Sequence, residues 1–208
     1  MRINSLLIFC FLLCGSVIAQ EKLSAKEVKR LEENIQQKNA DINSLQGEFI
    51  QTKKLDFLQE PAKSSGKFIY KAPKQLKWIY LSPESFSLLF TNQKLFIEEE
   101  GNTKEIAISS NKLLRRLSQL IAKSINGEML SDNSFTVNYR KEKQFITAHL
   151  IPKEATIKDF IEQLVLYINP ETLLVEKIKI MENAKDFTLI SLEKIRVNEI
   201  IHNAVFKP

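Results

Sequence analysis

The chain has 208 residues, 44% of them hydrophobic, and its 30 Lys and Arg exceed its 25 Asp and Glu by a net charge of +5. So mild an excess, interspersed along the chain, gives no basic footprint for nucleic acid, and Cys10 and Cys14 both lie in the apolar N-terminal segment. Everything after that segment therefore lacks a disulfide, a thiol nucleophile and a thiolate ligand, and must be held by ordinary burial.

Met1 and Arg2 form a short positive region, Ile3 to Leu13 an apolar run, and Val17-Ile18-Ala19 a small-residue cleavage site before Gln20. The run is shorter than the ~20 residues that span a bilayer and ends in Gly15-Ser16, so residues 1–19 are expected to be a cleaved signal peptide. Its loss, with Arg2, lowers the net charge by one. Residues 20–208, about 189 in all, fit one domain, and no linker, repeat or low-complexity stretch divides them.

Ser24-Ala25-Lys26-Glu27 is a capping box, and Val28, Leu31 and Ile35 follow at helical spacing, which predicts an amphipathic helix. From Ser44 the period becomes two. Phe68 and Tyr70, then Leu76, Trp78 and Tyr80, then Phe86, Leu88 and Phe90 alternate with other residues and give strands with one aromatic face. Thr91-Asn92-Gln93 is a turn signal, and Lys94 to Glu99 is the returning strand of a hairpin. Asn111 to Asn126 switches back to helical spacing, with Leu113, Leu117, Leu120 and Ile121 on one face and Gly127 as its C-terminal cap. Beyond it only strand signals follow: Phe135 to Arg140, Gln144 to Ile151, Gln163 to Ile168, Leu173 to Met181 and Phe187 to Val197, with a turn at Asn169-Pro170-Glu171.

Strands joined by such short turns pair antiparallel. The expected fold class is therefore α+β, one large antiparallel sheet with helices packed on its apolar face. That face cannot stand in water, but whether it encloses a filled core or a cavity is open at this level.

The chemistry narrows the function further. The two histidines, His149 and His202, stand alone, without the spacing of a metal site. The nucleophile elbow, the dinucleotide fingerprint and the phosphate loop are missing, since Gly47, Gly66, Gly101 and Gly127 are isolated. Glu98-Glu99-Glu100 before Gly101 reads as a solvated hairpin tip, and Lys53-Lys54 and Arg115-Arg116 are too sparse for a nucleic-acid patch. No enzymatic activity, cofactor, metal or nucleic-acid partner is expected. Binding or transport is.

Phe49-x-Gln51, Ser65-Gly66-Lys67-Phe68, Pro73-x-x-Leu76-x-Trp78-x-Tyr80, Pro83 and the closing Val197-Asn198-Glu199-Ile200 with Phe206 resemble, in order and spacing, the LolA family of outer-membrane lipoprotein carriers. The resemblance runs through most of the chain after the leader. It implies a single curved antiparallel sheet, an incomplete β-barrel, with helices over its concave hydrophobic face and a cavity for acyl chains. The cavity candidates are then Phe49, Phe68, Trp78, Tyr80, Phe86, Leu88 and Phe90, and the lid face is Leu113, Leu117, Leu120 and Ile121; Phe206 is expected to pack the C-terminus down instead. The implied partners are acylated lipoproteins or another lipid, an inner-membrane releasing complex and an outer-membrane acceptor, served by a periplasmic monomer. One departure stands out. Family members carry an arginine before the proline of Pro-x-x-Leu-x-Trp, where it holds the lid; here that position is Ala72, flanked by Lys71 and Lys74.

Overall fold

A computed structural model describes residues 21–73, 75–91, 94–107, 123, 127–142 and 144–208. The predicted leader, Asn92-Gln93 and all of the second predicted helix except Lys123 lie outside these residues, and with them the lid-face positions Leu113, Leu117, Leu120 and Ile121.

Helix α1 spans Ala25–Ala40. It starts where the capping box predicts: Ser24 N donates to Glu27 Oε2 at 2.9 Å, and Glu27 N donates to Ser24 Oγ at 3.3 Å. The Lys141 ammonium, 2.9 Å from Glu27, holds that carboxyl down at about 2 with help from the Ser24 donors. Leu31 and Ile35 are buried, so the predicted stripe does face inward.

The described residues form twelve strands, of which β1 and β7 are not signalled by the alternation: β1 (Glu21–Lys22), β2 (Ser44–Lys54), β3 (Ala62–Lys71), β4 (Gln75–Ser82), β5 (Phe86–Phe90), β6 (Lys94–Glu99), β7 (Asn102–Ala107), β8 (Phe135–Glu142), β9 (Phe145–Pro152), β10 (Gln163–Ile168), β11 (Val175–Met181) and β12 (Phe187–Val197). All pair antiparallel in one sheet of order β1-β8-β9-β10-β11-β12-β2-β3-β4-β5-β6-β7. The sheet does not close. Two meanders, β2 to β7 and β8 to β12, are joined at β2 and β12, so the chain between β7 and β8 links one edge of the sheet to the strand next to the other.

Sequence patterning misses the short elements. Helix α2 (Ala155–Lys158) and a 3-10 turn at Asn203–Phe206 stand where only strands or loop are expected, because four residues are too few to display a period. The glutamate run does form a hairpin tip: Glu99 pairs with Asn102 around Glu100 and Gly101, which adopt φ of 49° and 76°. Asn169 Oδ1 accepts from Glu171 N and Thr172 N, which closes the predicted Asn-Pro turn.

Register places most buried apolar residues of the strands from β8 to β6 on one face; Leu89 of β5 and Val165 of β10 are buried on the other. Residues directly opposite in an antiparallel ladder share a face, and the series Tyr139, Ala148, Leu166, Ile178 and Ile190 continues through Leu192, Phe49, Phe68, Trp78 and Leu88. These residues, with Leu31 and Ile35 of α1, form one cluster. At about 25 cal/mol per Å² this is the main term holding an otherwise unstapled chain.

The C-terminal segment runs along the outer face. Ser44 Oγ donates to Glu199 O at 2.8 Å, and Lys71 Nζ donates to Ile201 O at 3.1 Å and to Asn203 Oδ1 at 2.6 Å. Phe206 is buried apart from the main cluster, in a turn packed on β4, as expected of a residue that pins the terminus. Asn198, at φ 59°, latches one end of the β2–β12 seam, where β12 ends and β2 begins: its Oδ1 accepts from Asn43 N and Ser44 N, and its Nδ2 donates to Asp41 O at 2.7 Å.

Candidate functional site

All seven cavity candidates share the apolar face. Phe68 opposes Trp78, Trp78 opposes Leu88, Tyr80 opposes Phe86 and Leu76 opposes Phe90. The rings form a ladder, with centroids 4.2 Å apart for Phe49 and Trp78, 6.0 Å for Phe68 and Trp78, 5.2 Å for Phe49 and Tyr80, and 4.4 Å for Tyr80 and Phe86. Such stacked and edge-on pairs add about 0.5–1.5 kcal/mol each to the burial itself.

Two glycines make room for the ladder. A Cβ on Gly66 would come within 1.8 Å of Ile79 O and 2.8 Å of Phe49 Cε1, and one on Gly47 within 2.6 Å of Glu193 O and 2.9 Å of Phe68 Cε1. Phe49 opposes Gly66 and Phe68 opposes Gly47, so each ring lies over the glycine of the neighbouring strand. The Phe49-x-Gln51 and Ser65-Gly66 motifs are thus two halves of one packing device.

Burial divides the candidates. Phe49, Phe68 and Trp78 are 1%, 0% and 4% exposed and Phe90 is buried beside them, which makes these four wall residues. Tyr80, Phe86 and Leu88 are half-buried, as are Ile97 and Ile106 on the adjoining strands. The apolar surface that a ligand could reach therefore lies toward β5, β6 and β7.

Polar groups interrupt the aromatic part of the face beside Tyr80. Tyr80 Oη donates to Gln51 Oε1 at 3.1 Å, and Gln51 Nε2 donates to Ser64 Oγ at 3.5 Å. Burial raises the Tyr80 pKa, although the neighbouring Trp78 indole and the Gln51 amide act against it. The Trp78 N–H is close enough to exert that influence but does not reach hydrogen-bonding geometry, and Nε1 has no partner. The polar character of Gln51 was legible in its motif; its place beside Trp78 was not, because it depends on the β2–β3–β4 register.

Two further clefts lie elsewhere. A groove of about 540 Å³ between α1, the 3-10 turn at Glu128–Ser131 and β8 is lined by Ile35, Leu130 and Phe135 together with Glu32, Gln36 and Asn39. Another, of about 420 Å³, lies against Tyr139 and His149. Neither includes any of the seven candidates. Tyr139 Oη donates to Glu32 Oε1 at 3.3 Å; burial and the Glu32 charge push its pKa well up. Burial and Arg140 lower the His149 pKa against the opposing pull of Glu142.

The structure answers the question of the missing arginine. Ala72 packs against the inner cluster, whereas Lys71 lies on the outer face with its ammonium held by Ile201 and Asn203. Lys71 does not stand in for it. The one described residue of the second predicted helix, Lys123, donates to Asp132 Oδ2 at 2.7 Å.

Among the described residues no group of histidines, cysteines or carboxylates could hold a metal ion, and no helix is long and apolar enough to cross a membrane. The family model described as outer membrane lipoprotein carrier protein LolA matches residues 40–208. No curated protein matches the sequence. Among solved structures, an uncharacterized conserved protein from Thermus thermophilus is 6% identical, with a TM-score of 0.54 over 88% of this chain and 94% of that one. MucB in the MucA/MucB complex from Pseudomonas aeruginosa is 10% identical, with a TM-score of 0.51 over 88% of this chain and 61% of that one. At such identities the likeness is one of fold.

Proposed function

The chain belongs to the LolA family of outer membrane lipoprotein carrier proteins, and from that membership we propose that it is a periplasmic carrier that shields the acyl chains of lipoproteins between the inner and outer membranes. The single observation that carries this reading is the continuous apolar face of the open sheet, whose half-buried aromatic end offers a greasy surface without catalytic groups. Aromatic and aliphatic walls hold acyl chains at about 0.8 kcal/mol per buried methylene and need no rigid shape match. Lid helices belong to the same proposal. Leu113, Leu117, Leu120 and Ile121 would cover the face until acyl chains displace them, so that loading and opening are coupled by differential affinity. Its releasing and accepting partners would be an inner-membrane complex and an outer-membrane receptor, and the carrier itself a monomer without enzymatic activity.

The MucA/MucB complex, a fold relative bound to a protein, shows that an acyl cargo is not the sole use of the fold. A second reading is favoured by Ala72 and by the engagement of Lys71 on the outer face: a lipid-binding accessory protein for another envelope lipid, with the lid held by other means. Native mass spectrometry of the protein purified from its own periplasm separates these readings. A bound triacylated lipoprotein supports the carrier, a bound non-protein lipid supports the accessory protein, and an apo mass that also refuses added lipoprotein refutes both.

A further inference from the structure

Trp78 is 4% exposed, yet its Nε1–H has no acceptor, and it is the only buried side-chain donor or acceptor among the described residues left in that state. A buried, unsatisfied donor costs about as much as a lost hydrogen bond, so its retention calls for a partner that is sometimes present. Its surroundings say where that partner enters. Going along β2, β3 and β4 toward the β2–β3 turn, the inner face passes from Leu45, Tyr70 and Leu76 through Phe68 and Trp78 to Tyr80, Gln51 and Ser64. Apolar wall lies on one side of Trp78 and a hydrogen-bonded polar trio on the other.

We propose that the Trp78 indole N–H donates to the carbonyl oxygen of an acyl ester or amide, so that the site takes carbonyl-linked acyl chains in preference to plain hydrocarbon or ether-linked ones. This rests on the lipid-binding reading above and adds a chemical requirement to it. The chains lie across the half-buried Leu88, Ile97 and Ile106, the linkage sits at Trp78, and Tyr80, Gln51 and Ser64 meet the more polar part of the molecule. Tyr80 already donates its proton to Gln51. Diacylglyceryl groups of lipoproteins and of phospholipids share this chemistry.

Trp78 is the only tryptophan of the chain, so ¹⁵N-labelled mature protein gives one indole N–H resonance. The probes are short-chain diacyl phosphatidylglycerol, its dialkyl ether analogue and a synthetic triacylated lipopeptide, with occupancy measured by native mass spectrometry. At matched occupancy the resonance moves downfield with an ester-linked probe and not with the ether. The diester phosphatidylglycerol binds roughly tenfold more tightly than the diether. Trp78→Phe brings that ratio close to one. A downfield shift with the lipopeptide alone assigns the linkage to lipoproteins, and one with phosphatidylglycerol to phospholipids. Equal shifts for ester and ether, or an ester preference that survives Trp78→Phe, overturn the inference while leaving lipid binding intact. No occupancy by any of the three sinks both.

Discussion

Gly66→Ala tests the packing of the aromatic ladder directly. Real Cβ atoms essentially never approach within 3.0 Å of another heavy atom, and the new methyl would begin 1.8 Å from the Ile79 carbonyl oxygen. That obstacle is backbone, so β3 and β4 must part by about 1.2 Å beside Trp78, and Phe49 must leave its seat over the glycine. Overpacking of this kind costs about 1–3 kcal/mol, and strained ladder hydrogen bonds about 1 kcal/mol each. The gain from replacing glycine in a strand is only about 0.5–1 kcal/mol. The net loss is about 3 kcal/mol, and with a midpoint shift of about 2–4 °C per kcal/mol in a domain of this size, Tm falls by about 6–12 °C. Urea unfolding followed by far-UV circular dichroism measures it. Gly101→Ala is the control, since that glycine has φ of 76° but nothing within 4 Å; only the left-handed backbone penalty of about 1 kcal/mol applies. A Gly66→Ala protein within about 0.5 kcal/mol of wild type, or one more stable than Gly101→Ala, would refute the packing described for β3 and β4.

Asn198→Ala removes three backbone hydrogen bonds and leaves a left-handed residue without amide support, so unfolding by urea should show a loss of about 2–3 kcal/mol. Gly127→Ala puts a methyl 2.9 Å from Asn39 Nδ2 at φ 76°, which should cost about 1–2 kcal/mol in the same assay, most of it backbone strain because the amide can move. Burial acts to raise Asp132, but the Lys123 ammonium and the Ser134 donors outweigh it and hold the carboxyl below its ordinary value. A depressed folded pKa contributes stability above the unfolded value, about 3.9, that is lost as pH falls through the folded one. Lys123→Ala should therefore lower Tm at pH 7 by the equivalent of about 1 kcal/mol and have little effect near pH 2, as differential scanning calorimetry at the two pH values will show.

Most of the fold was legible in the sequence because its signals are local. The Ser24–Glu27 capping box, the period-two aromatics and the Asn169 turn each specify a few residues at a time, and β6, β10 and β12 begin and end where the alternation does. The shared face of the seven candidates was legible for the same reason, since strand alternation and short turns fix which side each residue takes. Long-range order was hidden. Nothing local says that β2 pairs with β12, that Lys71 turns outward to the C-terminal segment, or that Phe49 sits over Gly66. Nor does alternation show that Phe49, Phe68 and Trp78 are wall while Tyr80, Phe86 and Leu88 remain half-open, because that depends on how many neighbouring strands stand over each ring.

The β2–β12 seam also bears on how the molecule is made. Ser44 and Asn198, which meet there, are 154 residues apart, so the pairing must wait until almost the whole chain is available. Closing so long a loop is entropically expensive, and folds dominated by such distant pairings are slow. An emerging chain can build the β2–β7 hairpins early, but until β12 arrives β2 is a bare edge beside an uncovered row of aromatic rings. A polypeptide that stops short of Phe187 carries every ring of the ladder and lacks the strand that closes over its flank; it should aggregate rather than persist as a smaller version of the protein.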